Sequence, residues 1–132
     1  MSYNNEIGRI GEQLVAEYLC HKGNIIVAQN YHSKFGEIDI IAENKEELIF
    51  VEVKTRKENS LMAPADVVDA QKQIKITKTS AEFLRKLHWT GKFRFDIAEV
   101  TYKKDKSDNN VFSLNYIKNA FKSDIINYRQ NL

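Results

Sequence analysis

Apolar residues recur at Ile7, Ile10, Leu14, Val15, Tyr18 and Leu19. That spacing marks one face of an α-helix. It predicts a helix over residues 6–21, capped by Asn4 or Asn5 and stopped at Gly23. The period then changes. Ile25-Ile26-Val27 is a β-branched run, read as a strand that ends near Asn30, and Lys34-Phe35-Gly36 supplies a break. In residues 37–43, Ile38, Ile40 and Ala42 alternate with Glu37, Asp39 and Ile41, the two-residue period of a second strand. A polar turn leads to a third strand over residues 48–56. Leu48, Phe50, Glu52 and Lys54 share one of its faces, and Ile49, Val51 and Val53 the other.

Beyond a loop that carries the only proline, Pro64, residues 66–87 read as a helix with a stripe of Ala70, Ile74, Thr77, Ala81 and Leu84. The pair Val67-Val68 allows a break near its start. Strands follow over 93–102 and 111–117, separated by a charged turn, and a terminal helix is expected over 118–129. The order αβββαββα defines an α/β fold, a mixed five-stranded sheet flanked by helices. The length of 132 residues suits a single domain spanning 1–132.

Composition narrows the class. A single cysteine, Cys20, excludes an intramolecular disulfide and a cysteine-based zinc cluster. No run approaches the roughly 20 apolar residues of a membrane span. The opening MSYNNEIGRIGE lacks the apolar stretch of a signal peptide. A cytoplasmic protein without membrane contact is expected. Net charge is only +2, but it is uneven. Residues 1–53 hold four basic and nine acidic side chains, whereas residues 71–106 hold ten basic and four acidic. An acidic site beside a basic anion-binding surface would give that distribution, and so would ordinary solvated helix faces.

Three residues carry chemistry. Asp39, Glu52 and Lys54 interrupt strands otherwise made of Ile, Val and Phe, where charge is rare unless paired or bound to metal. An even loop between the two strands would set Asp39 opposite Glu52 on one face. Two carboxylates ~5 Å apart repel by about 3 kcal/mol at an effective dielectric near 20. A divalent cation turns that repulsion into binding. Oxygen ligands without soft partners favour Mg²⁺ or Mn²⁺, and an adjacent lysine can stabilise phosphoryl charge or position a water. The other reading is a cross-strand ion pair in which Lys54 neutralises Asp39 or Glu52. Arg56 shares the face of Lys54 and could contact phosphate. Lys72, Lys75, Lys78, Arg85 and Lys86 recur along one helix and could meet backbone phosphates, or form a solvated face.

The segment GEIDIIAENKEELIFVEVKTR, residues 36–56, resembles the core of the YraN-like family of bacterial proteins. That family is placed among PD-(D/E)XK nucleases, near the archaeal Holliday-junction resolvases. The resemblance extends to Gly8, Gly11 and Glu12, Asn30, Lys72, RFDIAEV (94–100) and NAF (119–121). It implies a restriction-endonuclease-like core, with Asp39, Glu52 and the Val53 carbonyl as metal ligands and Lys54 as the catalytic lysine. Glu12 matches a helix glutamate that reaches the metal directly or through water. Ile38 stands where many of these enzymes have proline. The resemblance strengthens Lys72 as a nucleic-acid contact beside Lys75 and Arg56. By analogy, a homodimer is expected. The function implied is a Mg²⁺- or Mn²⁺-dependent endonuclease acting on DNA, including branched or flapped forms. The alternative is a nucleic-acid-binding or partner-recruiting module with little or no cleavage.

Overall fold

The computed structural model describes residues 3–59 and 68–122. Its elements are α1 (Tyr3–His21), β1 (Ile25–His32), β2 (Glu37–Glu43), β3 (Glu47–Lys57), α2 (Ala70–Leu87), β4 (Lys92–Lys104) and β5 (Asn110–Phe121). The five strands form one mixed sheet in the order β1-β2-β3-β4-β5. β3 runs parallel to β4, and the other neighbours are antiparallel. α2 makes the crossover that a parallel pair requires.

Each face of the sheet has its own core. On one side Val15, Ala16 and Leu19 of α1 pack on Ile40, Ala42, Ile49, Val51, Val53, Ala98 and Val100. On the other, Ile76, Ala81 and Leu84 of α2 pack on Ile41, Leu48, Phe50, Phe95 and Ile97. β3 is therefore buried on both faces over residues 48–53, where every residue but Glu52 is apolar. Gly11 permits α1 to lie directly on β3. A Cβ there would sit 2.0 Å from Thr55 Oγ1 and 3.1 Å from Thr55 Cβ. At Gly8 a Cβ would meet only open space.

Several expectations are corrected. α1 begins by Tyr3, so Asn4 and Asn5 lie inside the helix and do not cap it. Ile10 of the expected stripe is 40% exposed. Ile38 does not share a core with Ile40 and Ala42. It packs on the α2 side, because the β1–β2 ladder is interrupted at Asn30, whose φ is +51°. The α2 stripe is rotated: Ile76, Thr79, Ser80, Ala81 and Leu84 are buried, and Ile74 is exposed. α2 starts at Ala70 because the Asp69 carboxylate accepts the Lys72 N–H at 2.9 Å as its N-cap. Residues 118–121, assigned to a terminal helix, continue β5, where Phe121 stacks on Phe95 at 5.0 Å between centroids. The remainder of that helix, and the proline loop at 60–67, lie outside the described residues.

Candidate metal and phosphodiester site

The β2–β3 register sums to 91 at every pair, from Glu43↔Leu48 to Ile40↔Val51. Its next step is Asp39 against Glu52. There the ladder stops, and the Asp39 carboxylate takes over its role. Val53 N–H donates to Asp39 Oδ2 at 2.8 Å. The side chain thus satisfies a backbone amide where the strands part, and is fixed by doing so. Asp39 and Glu52 are 8% and 6% exposed, and their carboxyl groups share a hydrogen bond. They line a cleft of about 470 Å³ with Gly36, Glu37, Val53, Lys54, Asp69, Gln71, Lys72, Lys75 and Ile76.

The electrostatics follow from that contact. Burial, then the shared proton and the charge of Glu52, push Asp39 up to about 9. Burial also penalises the Glu52 carboxylate. The Asp39 hydrogen bond together with Lys72 and Lys54 outweighs that penalty and holds Glu52 below its ordinary value. Lys72 Nζ lies 2.6 Å from Glu52 Oε2, off the line of a good hydrogen bond, so this buried oxygen keeps an unmet lone pair. Burial and the neighbouring Lys72 ammonium lower the proton affinity of Lys54. Lys72 gains proton affinity despite burial, because the Glu52 carboxylate lies against its ammonium and the Asp39 carboxyl is near.

These donors fit a hard divalent cation. Two buried carboxyls converge, and the Glu52 Oε2 atom is met by the Lys72 ammonium but by no hydrogen bond of good geometry. Mg²⁺ commonly takes only one or two protein carboxylates and completes its shell with water. Among the described residues no group of three His, Cys, Asp or Glu side chains could hold a metal. Glu12 accordingly does not join Asp39 and Glu52 as a third direct donor. It lies on α1 within charge range of Asp39, Glu37 and Glu52, and hydrogen-bonds Asn30. Burial raises its pKa first, opposed by that hydrogen bond.

The remaining expected residues divide. Lys54, Lys72, Lys75 and Val53 line the cleft. Arg56 lies beyond it on β3. Its Nε is buried without a hydrogen-bond partner, and the guanidinium makes no ion pair among the described residues. Glu37 is half-exposed against His32 at 3.4 Å. Cys20 is exposed. Arg94 and Asp96 are structural partners as expected, with Nε 3.1 Å from both carboxylate oxygens. The Lys72–Glu52 contact was not legible in the sequence: it depends on the Asp69 cap, which fixes where α2 begins.

Comparison with known proteins gives the family of the chain. Residues 11–100 match the model of the family described as Uncharacterised protein family UPF0102. A UPF0102 protein of Clostridium botulinum (strain 657 / Type Ba4) is 40% identical over 120 residues, covering 89% of this chain and 95% of that protein. One from Alkaliphilus metalliredigens (strain QYMF) is 39% identical over 119 residues, covering 89% and 99%. The chain belongs to the UPF0102 family, the YraN-like proteins its strand motif resembles. No helix among the described residues is long and apolar enough to cross a membrane.

Proposed function

We propose that this protein is a Mg²⁺- or Mn²⁺-dependent endonuclease that hydrolyses phosphodiester bonds of DNA, with branched or flapped forms among its substrates. The observation that carries this reading is the buried Asp39–Glu52 pair, whose carboxyl groups converge on a lysine-lined cleft with Lys72 ion-paired to Glu52. Asp39, Glu52 and the Val53 carbonyl would hold the cation, with Glu12 reaching it through water. When bound, the cation supplies Lewis-acid stabilisation of phosphoryl charge and acidifies water.

The chain's own residues supply the rest. Hydrolysis adds a water oxygen to phosphorus while the bond to the leaving alkoxide breaks. Lys54 Nζ, with lowered proton affinity, accepts the proton of the attacking water or hydrogen-bonds the developing charge. Lys72, beside Glu52, and Lys75 face incoming phosphate. Arg56, free of carboxylate partners among the described residues, extends the contact along β3. A homodimer would present two such clefts, as cutting both strands requires. A cytoplasmic location completes the proposal.

The test is cleavage of duplex, branched and single-stranded DNA with Mn²⁺. Lys54→Ala and Asp39→Asn should each lower the rate by about 100-fold or more. Unchanged rates in either variant would remove the mechanism. The second reading, a binding module without cleavage, is favoured by one observation: the Lys72 ammonium already neutralises Glu52. It predicts salt-dependent DNA binding that persists in chelator and yields no products.

A further inference from the structure

We propose that Lys34, Phe35 and Lys78 form a phosphate clamp that grips a nucleic-acid strand about one or two phosphates from the Asp39–Glu52 pair. The inference rests on the nucleic-acid reading above and adds a second contact point and a strand direction to it. The clamp is built where the turn between β1 and β2 meets α2. That turn is held rigidly. Ser33 N–H donates to the Gly36 carbonyl at 2.8 Å, and Phe35 N–H to Ser33 Oγ at 3.0 Å. Ser33 Oγ is 2.8 Å from the hydroxyl of Thr79, a fully buried residue of α2.

Phe35 projects from this fixed turn and gathers two cations. Lys34 Nζ lies 5.2 Å and Lys78 Nζ 5.4 Å from its ring centroid, both within cation–π range. Neither ammonium has a carboxylate partner among the described residues. Their mutual repulsion is relieved by an anion. The adjoining cleft of about 370 Å³ is lined by Lys34, Phe35, Lys78, Glu82 and Arg85. Its one carboxylate, Glu82, is ion-paired through Oε1 with Lys86 at 3.1 Å, and its Oε2 is buried without a hydrogen bond.

The clamp continues the path from the carboxylate cleft. Lys72, Lys75 and Lys78 follow at helical steps of three, and the stem of Lys75 lies along the turn at Gly36. Six residues of α-helix span about 9 Å. Successive phosphates of one strand lie farther apart than their axial advance of about 3.4 Å, so this span reaches the next phosphate or the one after it. Lys72 beside Glu52 and Lys78 beside Phe35 are therefore spaced for phosphates of one strand running along α2. The ligand class is a polyphosphodiester, not a free phosphate or nucleotide.

Fluorescence anisotropy of labelled single-stranded and duplex oligonucleotides, titrated from 50 to 300 mM KCl in EDTA, tests the clamp without using metal. Lys34→Gln/Lys78→Gln should reduce the slope of log K against log salt by about 1.4–1.8, since each phosphate contact contributes about 0.7–0.9. Phe35→Leu keeps both charges and should still weaken binding several-fold. The charge-matched pair Lys22→Gln/Lys45→Gln, near the other end of β3, should leave the slope at the wild-type value. Thermal melts confirm that each variant is folded. A wild-type slope in Lys34→Gln/Lys78→Gln, an equal loss in the control pair, or no oligonucleotide binding by wild type overturns the clamp. Competition by a mononucleotide or inorganic phosphate beyond its ionic strength overturns the strand assignment. Mn²⁺-dependent cleavage is scored in parallel. Cleavage with unchanged slopes sinks the clamp alone, whereas a reduced slope without cleavage sinks hydrolysis and leaves the clamp standing.

Discussion

The shared proton between Asp39 and Glu52 ties cation binding to pH in a direction and size that can be worked out. Asp39 is held up at about 9, above its ordinary 3.8. It therefore contributes stability that is complete below 3.8 and is lost as pH rises through about 9. Glu52, held below its ordinary 4.5, acts oppositely, with a contribution present above 4.5 and lost as pH falls. Between pH 6 and 9 only the first term changes, so without divalent cation this pair lowers the melting temperature as pH rises. A cation that displaces the one proton gains about tenfold in apparent affinity per pH unit up to about 9. With cation in excess of its dissociation constant, tenfold is about 1.4 kcal/mol. At about 2.1 cal/mol/K of unfolding entropy per residue, a chain of 132 residues gains roughly 5 °C for that energy. The cation-induced rise in Tm should therefore steepen by roughly 5 °C per pH unit between pH 6 and 9. The assay is thermal unfolding at pH 6, 7, 8 and 9, with 10 mM Mg²⁺ or with EDTA. Asp39→Asn can keep the Val53 N–H bond but carries no titrating carboxyl, so it should lose both the rise and its slope. A cation effect that is flat with pH, or identical in Asp39→Asn, would refute the shared-proton argument.

Gly11→Ala should destabilise the fold by about 1–2 kcal/mol in urea unfolding, since overpacking against Thr55 outweighs the ordinary helical gain of about 1 kcal/mol; Thr55→Ala in the same chain should recover part of the loss. Lys72→Ala removes the ammonium that competes for Glu52 and should tighten Mn²⁺ binding by about 1 kcal/mol, roughly fivefold, in calorimetry; weaker binding would make Lys72 a support of the site instead. Asp96→Ala should cost about 3–5 kcal/mol in urea unfolding while leaving the cation response intact, because it strands the buried Arg94 and Tyr116 groups.

The parts legible in the sequence are those fixed by local pattern. Ile, Val and Phe at both parities of residues 48–53 announce a strand buried on two faces, and the even loop sets the register sum of 91 that brings Asp39 to Glu52. The parts that were not legible depend on tertiary contacts. Thr79 and Ser80 are buried although polar, Thr79 because it anchors the turn at Ser33, so α2 packs on a face that apolar spacing did not pick out. Residues 118–121 have no strong strand pattern. They continue β5 because Phe121 stacks on Phe95 and the Asn119 N–H donates to Asp96 at 2.9 Å. Ile38 changes faces because of a left-handed residue on the neighbouring strand, Asn30, which alternation within β2 cannot reveal.

The same sheet buries acidic groups in two ways, and the contrast separates scaffold from site. Asp96 is fully buried and saturated: Arg94 Nε meets both oxygens, Tyr116 Oη donates at 2.6 Å, and the Asn119 amide donates at 2.9 Å. Arg94 also pairs with Glu47. Burial and the Asp96 charge raise the Tyr116 hydroxyl pKa, so it keeps its proton and remains a donor. Every strong bond this carboxylate could accept from a ligand is already made by the protein. Asp39 and Glu52 are nearly as buried, yet the pair accepts one backbone N–H and an off-line ammonium, and meets the rest of its demand with a shared proton. An unmet buried oxygen costs about 1–3 kcal/mol. A fold able to saturate Asp96 could have done the same here, but it leaves Glu52 Oε2 without a hydrogen bond in a cleft that opens between lysines. Glu52 thus keeps acceptor capacity that Asp96 lacks, and a hard cation and a phosphate together would use it.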